Sequence, residues 1–106
     1  MLSFRFTIND SFRAYSTHPI TVPKSQVSYG ELGKEKLNAG DLQIIWPKGE
    51  RSKGHMYYGE AGYGPYYQIR THSDQSPPQY LAEGDEVLIV LVNDHGSRYA
   101  LVEYRE

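Results

Sequence analysis

Apolar residues in this chain recur at every second position in short runs, and this alternation most limits what the chain can fold into. At the N-terminus Leu2, Phe4, Phe6 and Ile8 alternate with polar residues, which is the pattern of a strand with one buried face. Similar short runs, separated by turn-forming residues, are Ile20–Val22, Leu42–Trp46, Met56–Tyr58, Tyr66–Thr71, Glu86–Val92 and Arg98–Tyr104. Many short strands joined by turns predict a mainly β protein, either a small barrel or a sandwich.

Helix-forming sequence is scarce. Gly30 and Gly33 interrupt the stretch Ser25–Asn38, which predicts only one or two short helical turns there, and Asp74–Tyr80 offers room for another. We expect irregular connections at Asn9–His18, at Pro47–Gly54 and at Gly59–Pro65. The strand Glu86–Val92 is apolar enough to be buried on both faces, and Asn93–Gly96 predicts a hairpin turn after it.

One short pattern occurs twice, 44 residues apart. Leu37–Asp41 and Leu81–Asp85 both read Leu-x-x-Gly-Asp, and an apolar strand follows each. Glycine adopts positive φ at no steric cost, and an aspartate side chain can accept hydrogen bonds from the backbone of its own turn. Two such turns before two strands suggest a pseudo-symmetric barrel.

Length and composition exclude several classes of protein. The 106 residues fit a single domain, 1–106, and the lack of cysteine excludes disulfides and thiolate zinc sites. The longest apolar run, Val87–Val92, is far shorter than the ~20 residues of a membrane-spanning helix, and no secretory signal opens the chain. No motif of a hydrolase, metalloprotease or nucleotide-binding enzyme is present. We therefore expect a soluble, cytoplasmic protein without a membrane association, cofactor, metal site or catalytic residue of its own, and the resemblance described below implies that it is prokaryotic.

Charge is divided unevenly between the two halves. The net charge of the chain is −2, but residues 1–54 carry eight bases and five acids, or +3, and residues 55–106 carry three bases and eight acids, or −5. This asymmetry suggests a face suited to an anion or a polyanion, although an unevenly charged solvated surface explains it equally well.

Two segments contain candidate binding residues. Five tyrosines lie within the eleven residues 57–67, and alternation along a strand allows only some of them to be buried. The others must form a second surface, either a binding surface or a cover over the barrel end. The polar segment Asn9–His18 contains Arg13, whose guanidinium can bind guanine, and Lys24 follows a proline at a position suited to a phosphate contact.

These segments in this order resemble one family, the B3 DNA-binding domain, which occurs in plant transcription factors and as the target-recognition domain of some type II restriction endonucleases. The matching stretches are Ile20–Ser25, Tyr57–Thr71 and Leu81–Val92, and the likeness covers nearly the whole chain. Tyr66–Thr71 is closer to the restriction-enzyme branch. The tryptophan often found in the second arm of plant members is absent, and Tyr58 stands near its place.

The resemblance implies a seven-stranded open pseudobarrel with one or two short helices that holds double-stranded DNA in the major groove between two arms. It also implies a covalently linked nuclease domain elsewhere in a larger protein. The first arm maps onto Asn9–His18 and the second onto Tyr58–Tyr66. The implied DNA-binding residues are Arg13, Tyr15, Ser16, His18, Lys24, Tyr58, Glu60, Tyr63, Tyr66 and Arg70. Lys48, Arg51 and Lys53 form a basic loop that adds phosphate contacts in this interpretation.

Two other classes remain open. One is a small oligonucleotide- or oligosaccharide-binding barrel, in which the tyrosines stack on single-stranded nucleic acid or on glycan. The other is a protein-interaction module without a nucleic-acid partner, which the net charge of −2 favours.

Overall fold

The alternating runs of the sequence form one seven-stranded sheet in the computed structural model, which describes residues 1–105. The strands are β1 (Leu2–Thr7), β2 (Ile20–Thr21), β3 (Gly40–Ile45), β4 (Arg51–Ala61), β5 (Gly64–Thr71), β6 (Glu86–Asp94) and β7 (Ser97–Tyr104). Two short helices, α1 (Asp10–Ala14) and α2 (Tyr29–Lys34), lie between the first three strands. The expected mainly β class is confirmed.

The sheet curls into a barrel that does not close completely. The strand order is β1-β6-β7-β3-β4-β5-β2, with every neighbouring pair antiparallel except β3 and β7, which are parallel. The two outermost strands, β1 and β2, do not pair with each other, so a seam remains between them. The fold is therefore the expected open pseudobarrel.

The core occupies the inside of the barrel. Alternate residues of each strand point inward, so Phe4, Phe6 and Ile8 are buried as the sequence predicts. Trp46 is only 2% exposed, and its indole N–H donates to Ser52 Oγ over 2.8 Å. That bond satisfies the one polar group that the tryptophan carries into the core.

Helix α1 closes one end of the barrel next to the seam. Asn9 caps it, because its Oδ1 accepts a 2.9 Å hydrogen bond from the backbone N–H of Phe12. Phe12 is fully buried, with its ring centroid 6.2 Å from those of both Phe6 and Trp46. The expectation of an irregular polar connection at Asn9–His18 was therefore wrong, because one apolar side chain within it anchors a helical turn.

Both repeated Gly-Asp turns have the expected backbone. The φ angle is 89° at Gly40 and 94° at Gly84, a region that glycine adopts without a steric penalty. Asp85 supports its turn, since its Oδ2 accepts a 2.9 Å hydrogen bond from the backbone N–H of Ala82. Asp41 instead lies 3.7 Å from the Nε2 atom of His72, so the two turns share a backbone but not a side-chain role.

Several expected loops are strand or turn instead. β4 begins at Arg51, so Arg51 and Lys53 belong to a strand and not to a basic loop. Strand pairing continues from Tyr58 opposite Tyr67 to Ala61 opposite Gly64, which extends β4 and β5 through most of the expected glycine-rich connection. The segment 74–80 forms turns without a helix. In β4 and β5 cross-strand hydrogen bonds outweigh the local turn signal, and in 74–80 the two prolines disfavour a helix.

β6 is buried on one face only, contrary to expectation. Val87, Ile89 and Leu91 are fully buried, whereas Leu88, Val90 and Val92 lie half-buried on the outer face of the barrel. The outer face of the barrel has no further layer to cover it, so these side chains are flanked only by their neighbours on β1 and β7 and stay partly exposed. No helix within residues 1–105 has the length and apolar character required to cross a membrane.

Candidate functional site

The β4–β5 hairpin projects beyond the barrel as an arm. β3 pairs with β4 only as far as Met56, and β2 pairs with β5 only at Gln68 and Ile69. From Tyr57 to Tyr66 the two strands therefore pair only with each other, apart from one backbone bond between Val22 and Tyr67 at the base. Four residue steps from Tyr57 to Ala61 correspond to a projection of about 13 Å.

The outer face of this hairpin carries cations and aromatic rings without a carboxylate. Side chains on one face occupy alternate positions, and those of β4 and β5 on the outer face are Arg51, Lys53, His55, Tyr57, Gly59, Ala61, Gly64, Tyr66, Gln68 and Arg70. A basic aromatic strip is therefore built into a chain whose net charge is −2.

Planar side chains stack along this strip. The guanidinium carbon of Arg70 lies 3.5 Å from the ring centroid of Tyr57, which is close contact for a cation over an aromatic face. Tyr57 and Tyr66 follow with ring centroids 6.1 Å apart, and Tyr63 at the tip is again 6.1 Å from Tyr66. The two tyrosine pairs are tilted by 45° and 39°, so the strip is a continuous row of ring contacts from Arg70 to the tip of the hairpin.

The Tyr66 ring can take its place in this strip only because it lies close against the backbone of Gly59, which has no side chain. A Cβ atom on Gly59 would lie 2.4 Å from the Cζ atom of Tyr66, so the tyrosine ring rests directly on the glycine backbone. Any side chain at position 59 would displace the ring. This glycine thus has a packing role and is not a turn residue.

The first arm, Asn9–His18, is tied to the barrel by two hydrogen bonds and is braced internally by a third. The backbone N–H of Thr71 donates to Thr17 O over 2.7 Å. His18 donates through Nδ1 to the carbonyl of Phe12 over 2.8 Å. The guanidinium of Arg13 donates to the carbonyl of Leu81. These bonds hold the arm in one conformation beside β5.

A cleft of about 340 Å³ separates the first arm from β5. Ser11 and Tyr15 face it together because they are four residues apart at the end of α1. Tyr66, Gln68 and Arg70 form the facing wall on β5. The remaining lining residues are Asn9, Thr17, Pro19 and Thr21. Tyr15, Tyr66 and Arg70, three of the residues expected to bind DNA, are thus brought together here.

Two other expected residues point away from this cleft. Arg13 and His18 line a smaller depression of about 190 Å³ on the other side of α1, next to Pro77 and Pro78. His18 has a positive φ of 45°, and its ring centroid is 5.8 Å from that of Phe12. In this structure Arg13 bonds the arm to the Leu81 carbonyl, and His18 bonds to Phe12 within the arm.

The remaining expected residues surround the arms without lining the cleft. Lys24 is exposed, 5.6 Å from the ring centroid of Tyr29, and a Cβ on Gly64 would lie 3.4 Å from its Nζ. Ser16 is exposed in the turn after α1, and Tyr63 is 76% exposed at the hairpin tip. Tyr58 donates to Glu60 Oε1 over 3.0 Å on the opposite face of the hairpin from Tyr66.

Sequence reasoning did not select six of the nine residues that line the cleft, among them Gln68 and Ser11. Gln68 is central: it accepts from Arg70 Nε over 3.0 Å and donates from Nε2 to Thr21 Oγ1 over 3.1 Å. Ser11 enters the cleft through helical spacing to Tyr15. The alternation of Tyr66, Gln68 and Arg70 was a signal in the sequence that could have assigned Gln68 to the same face.

Ionisation of the tyrosines is suppressed around the arms. The hydrogen bond that Tyr58 donates to Glu60 is the main cause of its raised pKa. The pKa of Tyr66 is raised mainly by partial removal from solvent and next by its hydrogen bond with Tyr57. Both phenols are therefore neutral hydrogen-bond donors at physiological pH.

A pair of histidines lies at the base of the hairpin. The ring centroids of His55 and His72 are 5.4 Å apart. Partial burial, followed by the charges of His72 and Arg70, lowers the pKa of His55, while Asp41 acts weakly in the other direction. No group of three or more His, Cys, Asp or Glu side chains suited to a metal ion occurs in residues 1–105.

Comparison with known proteins adds no relative. No protein-family model matches the chain, and no curated protein matches it. The functional assignment therefore depends on the geometry of the two arms and on the resemblance of the sequence to the B3 domain.

Proposed function

We propose that this chain binds double-stranded DNA sequence-specifically through the major groove, between the Asn9–His18 arm and the β4–β5 hairpin. The observation that carries the proposal is the cleft between these two segments, with Tyr15 on one side and Tyr66, Gln68 and Arg70 on the other. Arginine and amide side chains are the usual readers of guanine and adenine edges. A hairpin of two strands also has a width that the major groove admits.

The distribution of charge supports a nucleic-acid partner despite the net charge of −2. On the outer face of the hairpin Arg51, Lys53 and Arg70 stand without a carboxylate of β4 or β5 beside them. Some acidic side chains elsewhere are paired with cations, as Glu86 is with Arg105 at 3.3 Å. Because few phosphates are neutralised, we expect weak non-specific binding and an affinity that depends on base contacts.

The restriction-enzyme branch of the B3 resemblance adds a biological setting to this proposal. In that setting the chain recognises the target site of a type II restriction endonuclease in a prokaryotic cytoplasm. Cleavage then belongs to a covalently linked nuclease domain, and this chain contributes recognition only.

A salt titration tests the phosphate contact assigned to Lys24. Lys24→Ala should lower the magnitude of the slope of log K against log salt by about 1 on a duplex selected from a random pool. Lys34→Ala is the matched control, because Lys34 is an exposed lysine paired with Glu31 on α2, and it should leave the slope unchanged. An unchanged slope in Lys24→Ala removes this contact.

A pair of arginine variants tests the position of the interface. Arg70→Ala should weaken binding to the selected duplex by roughly 10- to 100-fold, because one base or phosphate contact is lost. Arg13→Ala should lower the melting temperature and leave the affinity of the folded protein nearly unchanged, since its guanidinium is bonded to Leu81. The reverse result would place the interface on the Arg13 side of α1.

Titrations of the protein against duplex DNA, single-stranded DNA and a glycan panel separate the rival classes. A preference for single-stranded DNA or for a glycan would identify a small binding barrel of the oligonucleotide or oligosaccharide type. The absence of duplex binding at low salt would contradict the proposal and favour a protein-interaction module.

A further inference from the structure

The cleft between the first arm and β5 has the size of a site for one nucleotide. Ligand sites in proteins commonly span about 300–1,000 Å³, and this cleft, at about 340 Å³, lies at the lower end of that range. A base pair within a duplex is too large to enter this space, so a bound duplex lies across the mouth of the cleft, whereas a single base with its sugar is small enough to enter it. The walls belong to both arms, so a ligand in the cleft contacts both.

The lining combines aromatic faces with hydrogen-bonding groups. Tyr15 is 61% exposed at the end of α1, and Tyr66 rests on Gly59 on the other wall. The cleft is also lined by the hydroxyl residues Ser11, Thr17 and Thr21 and by the amide residues Asn9 and Gln68. Enzymes and other proteins that hold an extruded base use this combination, stacking the base on aromatic side chains and bonding its Watson–Crick edge.

Gln68 is held in one orientation before any ligand arrives. Its Oε1 accepts from Arg70 and its Nε2 donates to Thr21, over 3.0 Å and 3.1 Å. Each bond uses one lone pair or one N–H, so the amide retains a second acceptor position and a second donor. A fixed donor beside a fixed acceptor matches the edge of a nucleobase, and no side chain has to be reordered on binding.

Arg70 supplies a positive charge on the same wall. Its guanidinium is supported by the ring of Tyr57 at 3.5 Å and by Gln68, not by a carboxylate, so its charge is available to a phosphate. The cleft therefore offers separate partners for the base and for the phosphate of one nucleotide.

We propose that the cleft accepts one base that is extruded from the bound duplex, stacked between Tyr15 and Tyr66 and read by Gln68. This inference rests on the proposed DNA-binding function and adds a distortion of the DNA to it. Extrusion breaks one base pair, so a duplex in which that pair is already absent should bind more tightly.

The test uses a duplex that the full chain selects from a random pool. The base opposite each position of the site is removed in turn, leaving an abasic partner, and the affinity of the protein for each duplex is measured. At one position the affinity should rise by about tenfold, because pairing no longer opposes extrusion. At the other positions it should fall or stay unchanged.

Variants of one exposed tyrosine connect that gain to the cleft. Tyr15→Ala should abolish the gain, and Tyr15→Phe should retain it because the stacking ring remains. Tyr104→Ala is the matched control, since Tyr104 is 43% exposed on β7, away from both arms, and it should also retain the gain. Truncation of exposed side chains leaves the core intact, so loss of folding will not imitate the expected result.

The failures of the two proposals are distinguishable. Tight duplex binding without a position of increased affinity, or a gain that persists in Tyr15→Ala, overturns the extruded base and leaves the DNA-binding function intact. Failure to bind any duplex overturns both.

Discussion

At the residue scale, the position of the Tyr66 ring depends on the absence of a side chain at Gly59. Gly59 lies within a strand, where glycine usually weakens the structure because it offers nothing to pack. Here its bare backbone is the surface on which Tyr66 lies, and the stack with Tyr57 and Tyr63 depends on that contact. A strand glycine at this position is therefore a constraint of the candidate site.

Gly59→Ala should destabilise the fold by about 0.5–1.5 kcal/mol, because the new Cβ overlaps the outer end of the Tyr66 ring and that side chain must leave its rotamer. Gly62→Ala, at a position with no atom within 4 Å, should change stability by no more than about 0.5 kcal/mol. Urea denaturation of both variants provides the measurement. In the double variant Gly59→Ala/Tyr66→Ala the cost should be smaller than the sum of the single costs, and full additivity would contradict the contact.

Also at the residue scale, two arginines differ in role because their side chains point in different directions. Arg13 and Arg70 were both expected to bind DNA, but one guanidinium is bonded to the Leu81 carbonyl and the other lies on the cleft wall. Residue type alone made them equivalent. A helical turn at α1 sends Ser11 and Tyr15 to one side and Arg13 to the other, and that turn depends on the burial of Phe12.

At the scale of secondary structure, the first arm is ordered by a helix of only five residues. Such a helix is unstable alone, because the entropy of ordering its residues exceeds the gain from so few hydrogen bonds. Its stability comes from Phe12 between Phe6 and Trp46, from two hydrogen bonds that tie the arm to the barrel, and from the bond between His18 and Phe12 within the arm. Within the arm, Phe12 therefore belongs to the core, whereas Ser11 and Tyr15 line the cleft.

Phe12→Ala should reduce the free energy of unfolding by about 3–5 kcal/mol, since a fully buried ring is replaced by a cavity. Ser11→Ala on the same helix is the control and should change it by no more than about 0.5 kcal/mol, because Ser11 is exposed. Chemical denaturation measures both values. Equal and small effects would mean that α1 does not pack into the barrel as described.

The β4–β5 hairpin, unlike the first arm, is stabilised over its outer half without a contact to the core. Its base belongs to the barrel through β3 and β2, and its outer half is held only by its own pairing and by stacked rings. Isolated two-stranded hairpins are marginally stable, so the tyrosines on both faces compensate for the missing neighbours. Their number in 57–67 thus has a structural cause as well as a proposed functional one.

At the scale of the whole molecule, stability should depend on pH through His55. Burial and the neighbouring charges lower its pKa in the folded state below the ordinary value of 6.5, so the unfolded chain binds a proton first as the pH falls. The contribution of the neutral imidazole is complete above pH 6.5 and is lost as the pH falls through the lowered folded-state pKa.

His55→Gln should therefore flatten the decline in stability on the acid side of pH 6.5. Denaturation midpoints measured at steps between pH 8 and pH 5 test this, with the difference at pH 8 giving the effect of the substitution itself. Parallel curves for the variant and the wild type would show that His55 does not titrate differently on folding.

Much of the fold could be read from local patterns because they act over few residues. The alternation of Leu2, Phe4, Phe6 and Ile8 specifies one buried face wherever the strand lies. Glycine at positions 40 and 84 permits the positive φ that each turn requires. These inferences need no knowledge of a distant partner, and the structure agrees with them.

The sequence by itself thus determined a β protein of short strands, its two Gly-Asp turns, and the segments from which the arms are built. Only the tertiary structure decided that the hairpin extends through Gly59–Pro65, that α1 forms around Phe12, and that Tyr15 and Gln68 line one cleft. The reason is physical: strand length, helix formation and cleft geometry depend on free energies of packing and pairing between residues far apart in the chain. No local run of residues specifies those energies.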